Sequence, residues 1–184
     1  MRITGGSARG QILKTLPGLA VRPTTDKVRE AVFSMLASLA EDWDRVLDLF
    51  AGTGALGIEA LSRGAEWADF VDQSGKSCAV IKENLAKTGF KDKGRVYCCP
   101  VMKAIGILDK PYGIVFLDPP YADTTLGDVI TRIGGSKLIS ENSVILASHS
   151  SRAPLDQRLA SLLKIKEKRY GDTCISIYQK EVIP

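Results

Sequence analysis

The chain has 184 residues, 45% of them hydrophobic and 25% charged, with a mean hydropathy of +0.01, which suits one soluble globular unit around a single core and excludes a disordered, fibrous or repeat-built protein. No apolar run approaches the roughly 20 residues of a bilayer-spanning helix, and the opening MRITGGSARGQILK lacks the apolar centre of a secretory signal, so no membrane association and a cytoplasmic location are expected. The net charge of +4 is uneven: Arg2, Arg9, Lys14, Arg22, Lys27 and Arg29 face Asp26 alone at the start, seven basic residues face four acidic ones from Arg152 onward, and the middle is net acidic. That pattern suits a polyanion docked by the basic ends, because phosphate contacts are largely electrostatic.

In chain order, Arg2 to Thr4 and Gln11 to Leu13 flank Gly-Gly-Ser-Ala-Arg-Gly, which predicts a short hairpin. Thr25 is the expected N-cap of a helix whose apolar face carries Val28, Val32, Met35, Leu36 and Leu39. Alternating strands and helices follow. Strands are predicted at Val46 to Phe50, Trp67 to Asp72, Arg95 to Cys99, Ile114 to Leu117 and Ser143 to Ser148. Helices are predicted over Leu56 to Arg63, Ser74 to Leu85, Val101 to Leu108, the segment carrying Leu126, Val129, Ile130 and Ile133, and Pro154 to Leu163. Ile165 to Tyr170 and Thr173 to Gln179, parted by Gly171-Asp172, predict a closing antiparallel hairpin. Repeated βα units imply right-handed crossovers, a mostly parallel sheet covered on both faces, and ligands at the carboxyl ends of the strands. We read residues 1–42 as an N-terminal extension and 43–184 as one compact domain.

Gly52, Gly54 and Gly57 form a GxGxxG turn between strand and helix, and Asp72 ends the next strand, where a carboxylate can accept ribose hydroxyls. A nucleoside-containing cofactor is implied. Asp48, placed toward that turn, would repel a dinucleotide's pyrophosphate and favour a cationic donor such as S-adenosylmethionine, although an aspartate there can equally cap the amides of its own turn. After the apolar strand, Asp118-Pro119-Pro120-Tyr121 makes a stiff corner. Its Asp118 carboxylate and Pro119 carbonyl can grip the hydrogens of a planar exocyclic amine while Tyr121 stacks on the base. Cys78, Cys98, Cys99 and Cys174 have no CxxC spacing and a single histidine beside them in composition, so reduced, mostly buried thiols and no metal site are expected.

With MRITGGSARGQILKT, RPTTDKVREAVFSML, VLDLFAGTGALGIEALSRGA, VIKENL, IVFLDPPY and KRYGDT, the sequence resembles class I S-adenosylmethionine-dependent methyltransferases, specifically the RsmD family, which methylates a guanine N2 of 16S ribosomal RNA. The resemblance implies a Rossmann-like, seven-stranded sheet with an antiparallel last strand. It implies a cofactor surrounded by Asp48, Phe50, Gly52, Gly54, Asp72 and the adjacent Gln73, and a catalytic loop of Asp118, Pro119, Pro120 and Tyr121. It also strengthens the reading of Arg2, Arg9, Lys14, Arg22 and Arg29 as RNA contacts, with Arg29 equally able to pair with Asp26 or Glu30. The expected substrate is RNA of the small ribosomal subunit or an assembly intermediate, and the expected state is a monomer that uses neither metal nor a covalent enzyme intermediate. Two departures stand out. Cys98-Cys99-Pro100 replaces the acidic residue that many relatives direct at the adenine amine, leaving that contact to backbone groups, and Ser148-His149 stands where Glu-His is frequent, which makes His149 a surface or structural residue. The alternatives are an adenine N6 methyltransferase acting on DNA or RNA, a nicotinamide-dependent oxidoreductase, and a non-catalytic nucleic-acid-binding module.

Overall fold

The computed structural model describes residues 1–17 and 25–181. A single antiparallel bridge, Arg2 to Ile12, closes the N-terminal hairpin. Helix α1 (Asp26–Leu39) starts at Thr25, whose hydroxyl accepts the Val28 amide at 3.3 Å, and it buries Val32, Phe33, Met35 and Leu36. The βα alternation then runs β1 (Arg45–Leu49), α2 (Ala55–Ser62), β2 (Trp67–Asp72), α3 (Gly75–Lys87), β3 (Gly94–Cys98), α4 (Val101–Ile107), β4 (Ile114–Leu117), α5 (Leu126–Gly134) and β5 (Val144–Ser150). Three antiparallel strands finish the sheet: β6 (Arg158–Leu159), β7 (Leu162–Tyr170) and β8 (Thr173–Lys180).

The order is β3-β2-β1-β4-β5-β8-β7-β6, eight strands rather than the seven expected. The added strand stands where a helix was expected over Pro154 to Leu163. Leu155, Leu159 and Leu162 do recur at helical spacing, but Ala160 takes a left-handed φ of 54°, and the chain doubles back so that Arg158 pairs with Leu163 and Leu159 with Leu162. All three leucines still join the core that the false periodicity pointed to.

Side chains alternate along each parallel strand and feed two cores, one per face. Val46, Ile114, Phe116, Val144 and Leu146 enter the core shared with α1, α2, α3 and the hairpin residues Ile3, Ala8 and Leu13. Leu47, Leu49, Val115, Leu117 and Ile145 enter the other, under α4 and α5. The N-terminal extension is therefore packed into the same core as the βα units. All four cysteines are free; Cys78 and Cys174 are buried, but Cys98 is exposed, contrary to the expectation of mostly buried thiols. Burial and the neighbouring Cys98 push the Cys78 thiol up to about 12, so it is inert as a nucleophile at neutral pH. No helix among the described residues is long and apolar enough to cross a membrane.

Candidate cofactor and target-base site

The switch point of the sheet lies between β1 and β4, which pair in parallel on either side of the chain reversal. Beyond Leu49 the backbone turns sharply. Phe50 has a φ of 58°, a conformation that an aromatic residue rarely adopts, Gly52 has the same φ, and Gly54 caps α2 at 79°. The turn is pinned to β2 by two bonds: the Ala51 amide donates to the Val71 carbonyl at 3.0 Å, and the Gly52 amide donates to Asp72 Oδ2 at 2.9 Å. The other oxygen of Asp72 accepts the Ser74 amide at 2.8 Å. Each carboxylate oxygen keeps capacity for a second hydrogen bond, so Asp72 can still receive hydroxyls.

Gly57 serves packing. A Cβ there would lie 2.3 Å from the Phe70 ring, so its absence lets α2, buried along its whole length, lie directly on β2. With α2 that close, the Gly57 amide reaches Asp48 Oδ2 at 2.9 Å. Asp48 thus does cap an amide of the glycine motif, that of Gly57 in α2. Its side chain is 1% exposed; burial pushes its carboxyl well above the usual carboxylate range, the Gly57 N–H opposes this, and the charges of Asp118 and Asp72 add to it. A cation beside Asp48 would reverse that shift.

Asp48, Phe50, Ala51, Gly52, Asp72 and Ser74 line a cavity of about 640 Å³ together with Met1, Thr15, Arg29, Thr53, Gln73, Pro100, Val101, Met102, Asp118, Pro119 and Pro120. All six residues expected at the cofactor, Asp48, Phe50, Gly52, Gly54, Asp72 and Gln73, belong to this turn or to the strand end beside it, and all but Gly54 line the cavity directly. A Cβ on Gly52 would meet no atom nearer than 4.0 Å, so its left-handed φ rather than crowding demands glycine. Four carboxylates, Asp48, Asp72, Asp118 and Asp123, against the single arginine Arg29 among the described lining residues fit the cationic donor better than a pyrophosphate.

A second cavity of about 350 Å³ adjoins the proline corner, lined by Pro119, Pro120, Tyr121, Asp123, Ser148, His149, Pro154, Leu155 and Asp156. Pro119, Pro120 and Asp123 face both spaces. The corner is held at each end: the Asp123 amide donates to the Pro120 carbonyl at 2.8 Å, Asp123 Oδ1 accepts both the amide and the hydroxyl of Thr125 at 2.6 Å, and the Tyr121 hydroxyl bonds the Thr173 hydroxyl on β8. The Tyr121 residue remains 44% exposed, enough to offer a ring face. His149 is a buried structural residue, 5% exposed. Its Nδ1 faces the carbonyls of Ser150 and Ala153 at 3.1 and 3.0 Å and must carry the proton, while Nε2 meets Ser176 Oγ at 2.8 Å.

Arg2 and Arg9 are exposed, and Lys14 is exposed while paired with Glu83 at 2.6 Å. Arg22 lies outside the described residues. Arg29 is not a surface cation: its side chain is 1% exposed because Glu59, on the buried helix α2, draws it inward. Sequence reasoning did not single out Asp123, Thr15, Val101 or Met102. For Asp123 a signal existed, since Asp-Thr-Thr before a helix is an Asx-turn pattern.

An open parallel sheet with a glycine turn and a neighbouring acidic strand end, a cavity suited to a cation, and a proline-stiffened acidic corner define a Rossmann-like methyltransferase. The particular family follows from comparison: the family model described as "Conserved hypothetical protein 95" matches residues 1–179, and the chain belongs to that family. The chain is 38% identical over 183 residues to the "Putative rRNA methyltransferase YlbH" of Bacillus subtilis, covering 98% of this chain and 99% of the relative. It is 33% identical over 183 residues to "Ribosomal RNA small subunit methyltransferase D" of Escherichia coli, covering 98% and 90% respectively. The solved structure of the "Putative methyltransferase yhhF" of Escherichia coli superposes with a TM-score of 0.85 at 34% identity, covering 98% of each chain.

Proposed function

We propose that the protein transfers the methyl group of S-adenosylmethionine to the exocyclic N2 amine of a guanine in 16S ribosomal RNA. Methylation of ribosomal RNA is supported by relatives that span nearly the whole chain; the proline corner suits a planar exocyclic amine, and guanine N2 is what the resemblance to the RsmD family implies. The observation that carries it is that Pro119 and Pro120 line two cavities, with Asp118 on the larger and Tyr121 on the smaller, and we read the larger as the donor's and the smaller as the target base's.

When bound, S-adenosylmethionine supplies an electrophilic methyl on a positively charged sulfur. Asp72 and Gln73 would hold its ribose end, and Val101 and Met102 would flank the adenine, with backbone groups in place of the missing acidic contact. At the proline corner, the Asp118 carboxylate and the Pro119 carbonyl accept the two N–H bonds of the target amine, drawing it out of conjugation with the ring and freeing its lone pair. Tyr121, tethered through Thr173, supports the base face so that the nitrogen is aligned with the donor. Once the amine carries the methyl it is acidic, and its proton passes to Asp118 or to water. A base reaches this site only when splayed out of its stack, and the exposed Arg2, Arg9 and Lys14 of the 1–42 extension would hold the flanking phosphates. We place the enzyme in the cytoplasm as a monomer acting on small-subunit particles.

Incubation with labelled S-adenosylmethionine and unmodified small subunits, followed by nucleoside mass analysis, tests the assignment. N2-methylguanosine is expected. N6-methyladenosine would move the enzyme to the adenine class, and no transfer would leave only a nucleic-acid-binding module.

A further inference from the structure

Arg29 sits one turn into α1 with its guanidinium buried at the wall of the donor cavity. Nε donates to Glu59 Oε2 at 3.3 Å, and Nη2 donates to Asp26 Oδ1 at 2.9 Å and to the Arg2 carbonyl. Nη1 is buried with no partner among the described residues. Native structures rarely keep such an orphan, least of all on a charged group.

Neither carboxylate partner of Arg29 takes Nη1: Asp26 takes Nη2, and Glu59 takes Nε. Its two oxygens also take the amides of Thr4 and Gly5, the Thr4 hydroxyl and Arg63 Nε, so two guanidinium groups share one buried carboxylate. The position within the cavity is specific as well. Arg29 bonds the carbonyl of Arg2, and the preceding residue, Met1, brings its sulfur within 3.6 Å of Thr53 Oγ1 in the glycine turn. Arg29 is therefore tied, through the N-terminal hairpin, to the glycine turn, and Asp48 lines the same cavity.

We infer that Arg29 binds the α-carboxylate of the methionyl group of S-adenosylmethionine through Nη1, while Asp48 faces the α-ammonium. This rests on reading the cavity as the donor site. Anion and cation of the ligand's amino-acid end then each meet the opposite charge, and the buried donor gains the acceptor it lacks. Arg29 selects for an intact amino acid on the donor, and because the same guanidinium holds the Arg2 carbonyl, it joins the donor cavity to the N-terminal hairpin.

Calorimetry on the full chain would compare S-adenosylhomocysteine with its decarboxylated analogue, which keeps the adenosine, sulfur and amine. Wild-type protein should bind the analogue about tenfold to a hundredfold more weakly, the worth of a charge-assisted hydrogen bond. In Arg29→Gln that preference should shrink to within about threefold, and Arg29→Lys should restore part of it. Equal binding of the two ligands by wild type, a measurement needing no variant, would overturn the inference, as would an undiminished preference in Arg29→Gln. Failure of both ligands to bind wild type would overturn the donor-site reading itself.

Discussion

Asp48 pays for its position in the ligand-free protein: it is buried, faces two other carboxylates and has one amide in compensation. A carboxyl whose pKa is raised by folding favours the folded state at low pH, and that contribution is lost as pH rises through the raised value. Asp48→Asn, whose amide oxygen can still accept from Gly57, should therefore keep or raise the Tm at pH 7 while weakening S-adenosylhomocysteine binding. In the native protein a bound cation draws Asp48 back to its ionised form, so affinity should rise with pH through the free-protein pKa and then level off. Calorimetry in buffers of different ionisation enthalpy should register a proton released on binding; an affinity flat across that range would contradict the role. In the proposed mechanism Asp118 meets the reacting amine rather than the donor's amino-acid end. Asp118→Asn should leave donor affinity within about threefold and lower kcat by about 10²–10³, the usual loss for one preorganised partner of the reacting group. Tyr121→Ala should likewise retain donor binding and lose turnover.

Helix α2 is the element on which the site is built, and its depth is set by one missing methyl group. Gly57→Ala would drive a carbon into Phe70, which is fully buried and has nowhere to move. A destabilisation of about 1–3 kcal/mol is expected from such overpacking, read as a lower denaturation midpoint, together with weaker donor binding as Asp48 loses its amide. The elements most legible in the sequence were those with a strong local cause. Ile114–Leu117 is a continuous apolar run covered on both faces, Trp67–Asp72 is buried over its four middle residues, and both stand where the sequence predicts them to the residue. Thr25 and Ser74 each cap the helix they were expected to cap. The stretch from Pro154 to Leu163 was misread because Leu155, Leu159 and Leu162 reach one core from a folded-back chain as readily as from a helix. Periodicity records which residues are buried, and the left-handed Ala160 that reverses the backbone has no signature in its side chain.

At the scale of the whole molecule, the N-terminal extension and the catalytic unit share one core and one buried charge network, so the segment proposed to hold RNA is fastened to the helix that shapes the donor cavity. Arg29 shows why this was hidden from the sequence. Its local pattern is that of a cation on a helix in a basic segment, and its burial is decided by Glu59, 30 residues away. Arg2 and Arg9 stay on the surface. Replacing either with Ala should weaken RNA binding most at low salt and reduce the slope of log K against log salt by about 0.7–0.9, measured by titration with a small-subunit RNA fragment; an unchanged slope would remove that residue from the interface. The account as a whole turns on the proline corner dividing donor from target, and a crystal structure with S-adenosylhomocysteine examines that division directly. The ligand should lie with its ribose at Asp72, its amino-acid end between Asp48 and Arg29, and its sulfur facing the gap beside Asp118. A ligand seated elsewhere, or a sulfur closed off from Asp118 by protein, would contradict it.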